Sequence, residues 1–119
     1  MLAPDQLEAR RRALQKLRDE LAELVASTTD AAKPVDLAEP IGRLTRMDAM
    51  QQQKILAANR LAAQQRRRQV DAALERIEAG EYGECVACGE DIEPRRIEAL
   101  PESPMCLRCQ RERERRVDR

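Results

Sequence analysis

Four cysteines fall in two pairs, Cys85-Val86-Ala87-Cys88 and Cys106-Leu107-Arg108-Cys109, with 17 residues between the pairs. A gap of two residues lets both sulfurs of a tight turn face one ion, and the second pair then completes a tetrahedron, the pattern of a structural zinc site. Four thiolates leave no open coordination position, so one zinc ion held by Cys85, Cys88, Cys106 and Cys109 organises the chain and does not activate water. Two other chemistries share the spacing at this point: a pair of disulfides, or an iron ion held by four thiolates. Gly89 follows the first pair, where a positive φ is easiest for glycine, whereas Gln110 follows the second.

The remaining side chains exclude most catalysis. The chain has no His, which rules out a Ser-His-Asp triad, a Cys-His nucleophile and a His-bound catalytic zinc. A redox Cys-x-x-Cys would need a thioredoxin-like βαβ setting, and none surrounds these residues. The sequence therefore reads as non-enzymatic. No stretch approaches the ~18 apolar residues of a membrane span, and the first residues carry Asp5, Glu8 and an Arg run where a secretory leader would be apolar. A cytoplasmic location is expected, and in a reducing compartment metal ligation is favoured over disulfides, with a rubredoxin-like iron as the other metal reading.

The elements that must carry the cysteines are helical. Of 119 residues, 37% are charged and only one is aromatic, so long, partly exposed helices fit better than a layered core. Leu7, Leu14 and Leu21 lie seven apart with Leu17 and Leu24 interleaved, which predicts a helix from Pro4 to about Thr28, with Asp5 and Glu8 as a capping box. Ser27 to Pro40 reads as a connection because Pro34 and Pro40 cannot continue a helix. Ala49, Leu56, Ala63, Val70 and Ile77 repeat at seven, predicting a second helix from Arg43 to Ala79 stopped by Gly80. The small Ala positions suit the larger Leu side chains of the first helix, so the two form an antiparallel hairpin. The fold class is mainly α: a coiled-coil hairpin over residues 1–79 with its tip near 34–43, and a small four-Cys base with a C-terminal helix over 80–119. Short turns are expected from Glu81 to Cys109, then a helix from about Pro104 to Val117 with Ser103 as N-cap, packed along the base of the hairpin. A base of about 30 residues cannot build a core alone, and metal binding can supply folding free energy on the order of 10 kcal/mol.

Charge is balanced overall and segregated along the chain. There are 22 basic and 22 acidic side chains, which argues against a protein built to neutralise phosphate. Lys54 to Val70 nevertheless holds Lys54, Arg60, Arg66, Arg67 and Arg68 without an acid, while Asp30 to Glu39 is acidic.

Gly80-Glu81-Tyr82-Gly83-Glu84-Cys85-Val86-Ala87-Cys88-Gly89-Glu90-Asp91-Ile92, then Arg95-Arg96-Ile97-Glu98-Ala99 and Pro101, closely resembles the zinc-finger signature of the DksA/TraR family of bacterial regulators. The resemblance implies a coiled-coil hairpin on a zinc-bearing base, inserted into the secondary channel of RNA polymerase so that acidic tip residues approach the catalytic centre and initiation is modulated without DNA binding. The family's tip pattern is Asp, two residues, Asp, one residue, Ala. Its nearest match is Asp36-Leu37-Ala38-Glu39-Pro40-Ile41, while an ungapped count from the cysteines puts Gly42 and Thr45 at the acidic positions. Asp36 and Glu39 are the candidate polymerase-contacting tip residues, with Arg43 and Arg46 beside them, and Arg66, Arg67 and Arg68 form a candidate basic shaft. The family's cationic positions for the alarmone ppGpp fall on Gln69, Leu100 and Gln110, none of which offers a cation, so weak or absent ppGpp dependence is expected. The alternative is a zinc-finger adaptor or nucleic-acid-binding module with no polymerase role, including a scaffold that pairs its hairpin with another coiled coil; scarce aromatics and zero net charge weigh against nucleic acid.

Overall fold

The computed structural model describes residues 2–31 and 43–117, with side chains from 2–28 and 46–117. Four helices follow one another: α1 (Pro4–Ala31), α2 (Arg43–Ala79), α3 (Pro94–Ala99) and α4 (Leu107–Val117). Among the described residues β-structure is confined to one isolated antiparallel bridge, Glu84 with Asp91.

α1 starts by a different device from the one expected. Pro4 holds the first helical position, and Gln6 Oε1 reaches back to accept the Ala3 N–H at 3.0 Å, so the side chain that caps the backbone is Gln6, not Asp5 or Glu8. The helix also runs past Ser27. The Ser27 and Thr28 hydroxyls donate to the Leu24 carbonyl at 3.0 and 2.8 Å, a bond back to the preceding turn that satisfies the hydroxyl without leaving the helix. α2 has the expected bounds. Gly80 takes φ +76°, its N–H donates to Ile77 O at 3.2 Å, and the Glu81 N–H donates to Arg76 O at 2.9 Å, which is a Schellman closure.

The described chain forms two compact units. The first joins residues 1–18 to 68–119. In it Leu14 and Val70 are fully buried, with Ala73 and Ile77 beside them in the core. Arg11 lies 3.3 Å from Glu78, and Arg11, Gln15 and Arg18 share a groove with Asp71, Leu74 and Glu78, so rising numbers in α1 meet falling numbers in α2. The second unit is residues 19–67. Leu21, Thr28 and Ala63 are buried there, and Arg60 Nε donates to Val25 O at 3.5 Å, again an antiparallel pairing. The heptad of α1 thus extends one step beyond its leucines to Thr28.

The four-Cys base has its own small core of Cys85, Ile92, Ile97, Met105 and Cys106, with Tyr82, Cys88 and Cys109 packed against it. Two elements differ from expectation. Residues Pro94–Ala99 form a short helix that delivers Ile97 to the core, with Pro94 at its first turn and Pro101 just beyond its end. α4 begins at Leu107, not Pro104; none of its residues is buried, and its Cys109 packs against the small core.

Candidate metal centre

The first cysteine pair is held by backbone bonds on both sides. The Cys85 N–H donates to Glu90 O at 2.7 Å, the Gly89 N–H to Cys85 O at 2.9 Å, and the Ile92 N–H to Gly83 O at 2.8 Å. Gly89 completes this knuckle with φ +79°, a conformation that costs other residues roughly 1–2 kcal/mol. The second pair is built differently. Cys106 and Cys109 flank the first turn of α4, where the Gln110 N–H donates to Cys106 O at 3.0 Å, so ordinary helical geometry serves and no glycine is needed. Glu93 Oε2 accepts the Leu107 N–H at 3.3 Å, placing a carboxylate at the helix N-terminus, where the exposed amides and the dipole favour it. Glu93 thereby replaces the expected cap, Ser103, whose hydroxyl instead donates to Met105 O at 3.1 Å.

Two further contacts bring the halves together. The Val86 N–H donates to Pro104 O at 2.9 Å, and Arg96 Nε donates to Met105 O at 2.9 Å. The result is a cluster in which the four Sγ atoms of Cys85, Cys88, Cys106 and Cys109 all lie within 4.8 Å of one another, with Cys88 and Cys106 3.9 Å apart. No pair is disulfide-bonded. Zinc–sulfur bonds of about 2.3 Å in a tetrahedron require sulfur separations near 3.8 Å, so the donor set and its spacing fit one zinc ion.

The electrostatics of the cluster call for a cation. For Cys85, burial alone would raise the thiol, yet the backbone N–H groups of Cys106, Cys88 and Ala87 and the neighbouring Cys88 side chain outweigh it and bring the pKa down to about 6. Cys109 is pushed up to about 12, first by its hydrogen bond with Cys106, then by desolvation and its contacts with Cys85 and Cys88. One thiolate forms readily and a neighbouring site holds its proton; a bound dication is what would let all four sulfurs ionise.

Residues 80–115 match the family model of the prokaryotic dksA/traR C4-type zinc finger. The RNA polymerase-binding transcription factor DksA of Salmonella typhimurium is 30% identical over 96 residues, covering 79% of this chain and 59% of that protein. An uncharacterized protein of Aquifex aeolicus is 48% identical over 48 residues, 40% of this chain and 33% of the relative. Both matches span less than two thirds of the relative's length. The structure of transcription factor DksA2 from Pseudomonas aeruginosa superposes with a TM-score of 0.71 at 24% identity, covering 98% of this chain and 88% of that one. Residues 80–115 are a zinc finger of the dksA/traR C4 type.

The match of residues 80–115 to a C4-type zinc finger identifies the ion for the four-sulfur cluster as zinc rather than iron. The other positions singled out from the sequence do not gather at the cluster. Asp36 and Glu39 lie outside the described residues, and Arg43 is the first residue of α2 with its side chain likewise outside. Arg46 is half-buried, its Nε enclosed with no hydrogen-bond partner among the described residues. Arg66 is half-buried while Arg67 and Arg68 are exposed; consecutive helical residues point about 100° apart, so the three do not make a single patch. Gln69 and Leu100 are exposed, and the Gln110 amide donates to Glu114 Oε1 at 3.0 Å.

Sequence reasoning missed three contributors to the site. Glu93 caps α4, the Pro104 carbonyl anchors the first knuckle, and Tyr82 donates its hydroxyl to Pro101 O at 2.8 Å from beneath the small core. Tyr82 stood in the family signature but its partner is 19 residues away. No local signal pairs them.

Proposed function

We propose that this protein is a zinc-finger transcription regulator that binds RNA polymerase, with the hairpin of residues 1–79 entering the secondary channel and residues 80–119 forming its zinc-bearing base. The observation that carries the reading is the four-sulfur cluster on a helical hairpin, in a chain whose relatives include proteins named RNA polymerase-binding transcription factor DksA. Cys85, Cys88, Cys106 and Cys109 are the zinc ligands. Zinc here supplies structure, since four thiolates fill its coordination sphere. Asp36 and Glu39 act at the tip, near 34–43, with Arg43 and Arg46 orienting it, and Arg66, Arg67 and Arg68 offer cations to the partner.

Regulation proceeds without DNA contact and without catalysis. Zero formal net charge supports this, because a protein that neutralises many phosphates carries a basic excess. ppGpp has little effect: Gln69, Leu100 and Gln110 bring no cation, and Gln110 is engaged with Glu114. The protein works in the cytoplasm; among the described residues no helix is long and apolar enough to cross a membrane.

Capture of core RNA polymerase on the immobilised protein tests the reading, repeated with Asp36→Ala and Glu39→Ala. The expected result is retention by the wild type, with regulation of initiation lost in the tip variants. Steep, salt-dependent binding to duplex DNA with no retention of polymerase would refute it and favour a nucleic-acid module.

A further inference from the structure

The four sulfurs of the cluster are not enclosed alike. Cys85 and Cys106 are buried, whereas Cys88 and Cys109 are half-buried, so the cluster has a closed side and an open one. Arg108 lies in the first turn of α4 between Cys106 and Cys109 and is itself exposed. Its guanidinium makes hydrogen-bond contacts to the sulfurs of Cys109 and Cys88, one from each pair, and these hold it firmly in its charged form. They are the two sulfurs of the open side. Arg111 on the same helix is exposed as well, and exposure alone marks only a solvated face. Contact with both cysteine pairs is what distinguishes Arg108.

Charge balance explains what the contact does. A dication among four thiolates leaves the cluster with a net negative charge. The segment around the first pair adds to it: residues 81–93 hold Glu81, Glu84, Glu90, Asp91 and Glu93 and no Lys or Arg. Of the cations that follow, Arg96 donates its Nε–H to Met105 O, while Arg108 reaches sulfur. Taking up the ion expels thiol protons to solvent and leaves the sulfurs more negative than before, so a guanidinium at the open side favours the loaded cluster over the empty one. Without the ion the crowding of the other sulfurs prevails and Cys109 stays protonated, so the guanidinium meets the full charge in the loaded state.

We propose that Arg108 is a positioning residue for the zinc centre: it clamps the Cys88 and Cys109 sulfurs from the open side and slows loss of the ion. The inference rests on the zinc assignment and adds to the four ligands a residue that orients two of them from outside. A planar guanidinium offers several N–H donors at fixed angles and can serve two sulfurs at once, where a lysine ammonium brings only a compact charge.

The full-length, zinc-loaded protein is mixed with a chelating dye, and the rate of zinc transfer is compared for wild type, Arg108→Gln, Arg108→Lys and Arg111→Gln. The same four proteins loaded with cobalt report the sulfur-to-metal charge-transfer band. Glutamine and lysine keep helix propensity and both positions are exposed, so helicity remains that of the wild type. The expected result for Arg108→Gln is transfer about fivefold or more faster. Its cobalt band moves to longer wavelength, because thiolates that lose a charged donor hold their electrons less tightly. Arg108→Lys recovers part of the rate, and Arg111→Gln stays within about twofold of the wild type. If Arg108→Gln transfers zinc within about twofold of the wild type and its band does not move, the proposal is refuted while the zinc assignment stands. Equal acceleration by Arg111→Gln makes the overall charge of α4 the cause and overturns it too. Should Arg108→Gln take up no zinc, Arg108→Lys decides: recovered zinc with a displaced cobalt band supports the contact, whereas a second failure to take up zinc places Arg108 in the folding of the base and overturns the proposal. If the wild type itself takes up no zinc, the assignment of the ion fails and this inference with it.

Discussion

The Val86 N–H donates to the Pro104 carbonyl at 2.9 Å, tying the turn of the first cysteine pair to the strand of chain that leads into the second. Both knuckles are therefore parts of one small structure, and an ion joining their sulfurs would also hold this bond. Removing zinc should open the amides of Cys85, Val86, Gly89 and Ile92 together, since each donates within or across the base. Hydrogen exchange before and after chelation checks this. Protection at those four amides should vanish as a group, while amides around the fully buried Leu14 and Val70 keep theirs.

Zinc uptake should also release protons. Cys109, pushed up to about 12 in the metal-free cluster, is protonated at neutral pH, whereas Cys85 at about 6 is largely ionised. Binding must expel at least the Cys109 proton, so affinity falls as pH falls. Calorimetric titration in two buffers of different ionisation enthalpy should give different apparent heats, with one zinc bound per chain. A single Cys→Ser change at any of the four positions should abolish tight binding.

Legibility followed the range of the forces. The cysteine spacing and the bounds of α2 were readable because each depends on neighbours within a few residues, down to the Gly80 closure. The end of α1 was misread because serine and threonine favour breaks by propensity, while in place their hydroxyls bond to Leu24 O inside the helix. α3 has only six residues, too short for a periodic signal, although Pro94 and Pro101 bracket it. The cap of α4 was beyond sequence reach: Glu93 and Leu107 are 14 residues apart, and only the folded base brings them together.

Two glycines in left-handed backbone should respond to substitution by conformation alone. A Cβ added at Gly80 or Gly89 meets nothing within 4 Å, so the cost is that of φ +76° and +79° in a non-glycine residue, about 1 kcal/mol. Gly80→Ala should lower the stability of the hairpin end, read by thermal melting, and Gly89→Ala should weaken zinc binding by roughly fivefold through the first knuckle. Asn at either position, which tolerates the left-handed region, should recover part of the loss.

Leu14 and Val70 are the largest fully buried side chains, and truncating either should damage the fold more than any other change in the hairpin. Leu14→Ala is expected to cost about 2–5 kcal/mol in chemical denaturation. Leu24→Ala, at a heptad-like position that is 43% exposed, should cost less than about 1 kcal/mol, separating seam positions that are packed from those that only share the repeat.

Tyr82 links the base to pH at the alkaline end. Its hydroxyl donates to Pro101 O, and burial, aided by the charge of Glu102 and opposed by Arg10 and Arg76, pushes its pKa up to about 12 from 10.0. A raised value in the fold means that the neutral phenol is the form the structure favours. Its stabilisation is whole below pH 10 and drains away as pH rises toward 12, because the unfolded chain ionises first and gains from doing so. Replacing Tyr82 by Phe removes one hydrogen bond, costing about 1 kcal/mol at neutral pH, and leaves the Pro101 carbonyl without its donor. It also removes the titrating group. Denaturation of the two proteins from pH 8 to 12 should therefore show wild type the more stable at first, with its advantage shrinking above pH 10 and then reversing. A difference that stays constant through that range would mean that Tyr82 ionises in the fold as easily as in the open chain.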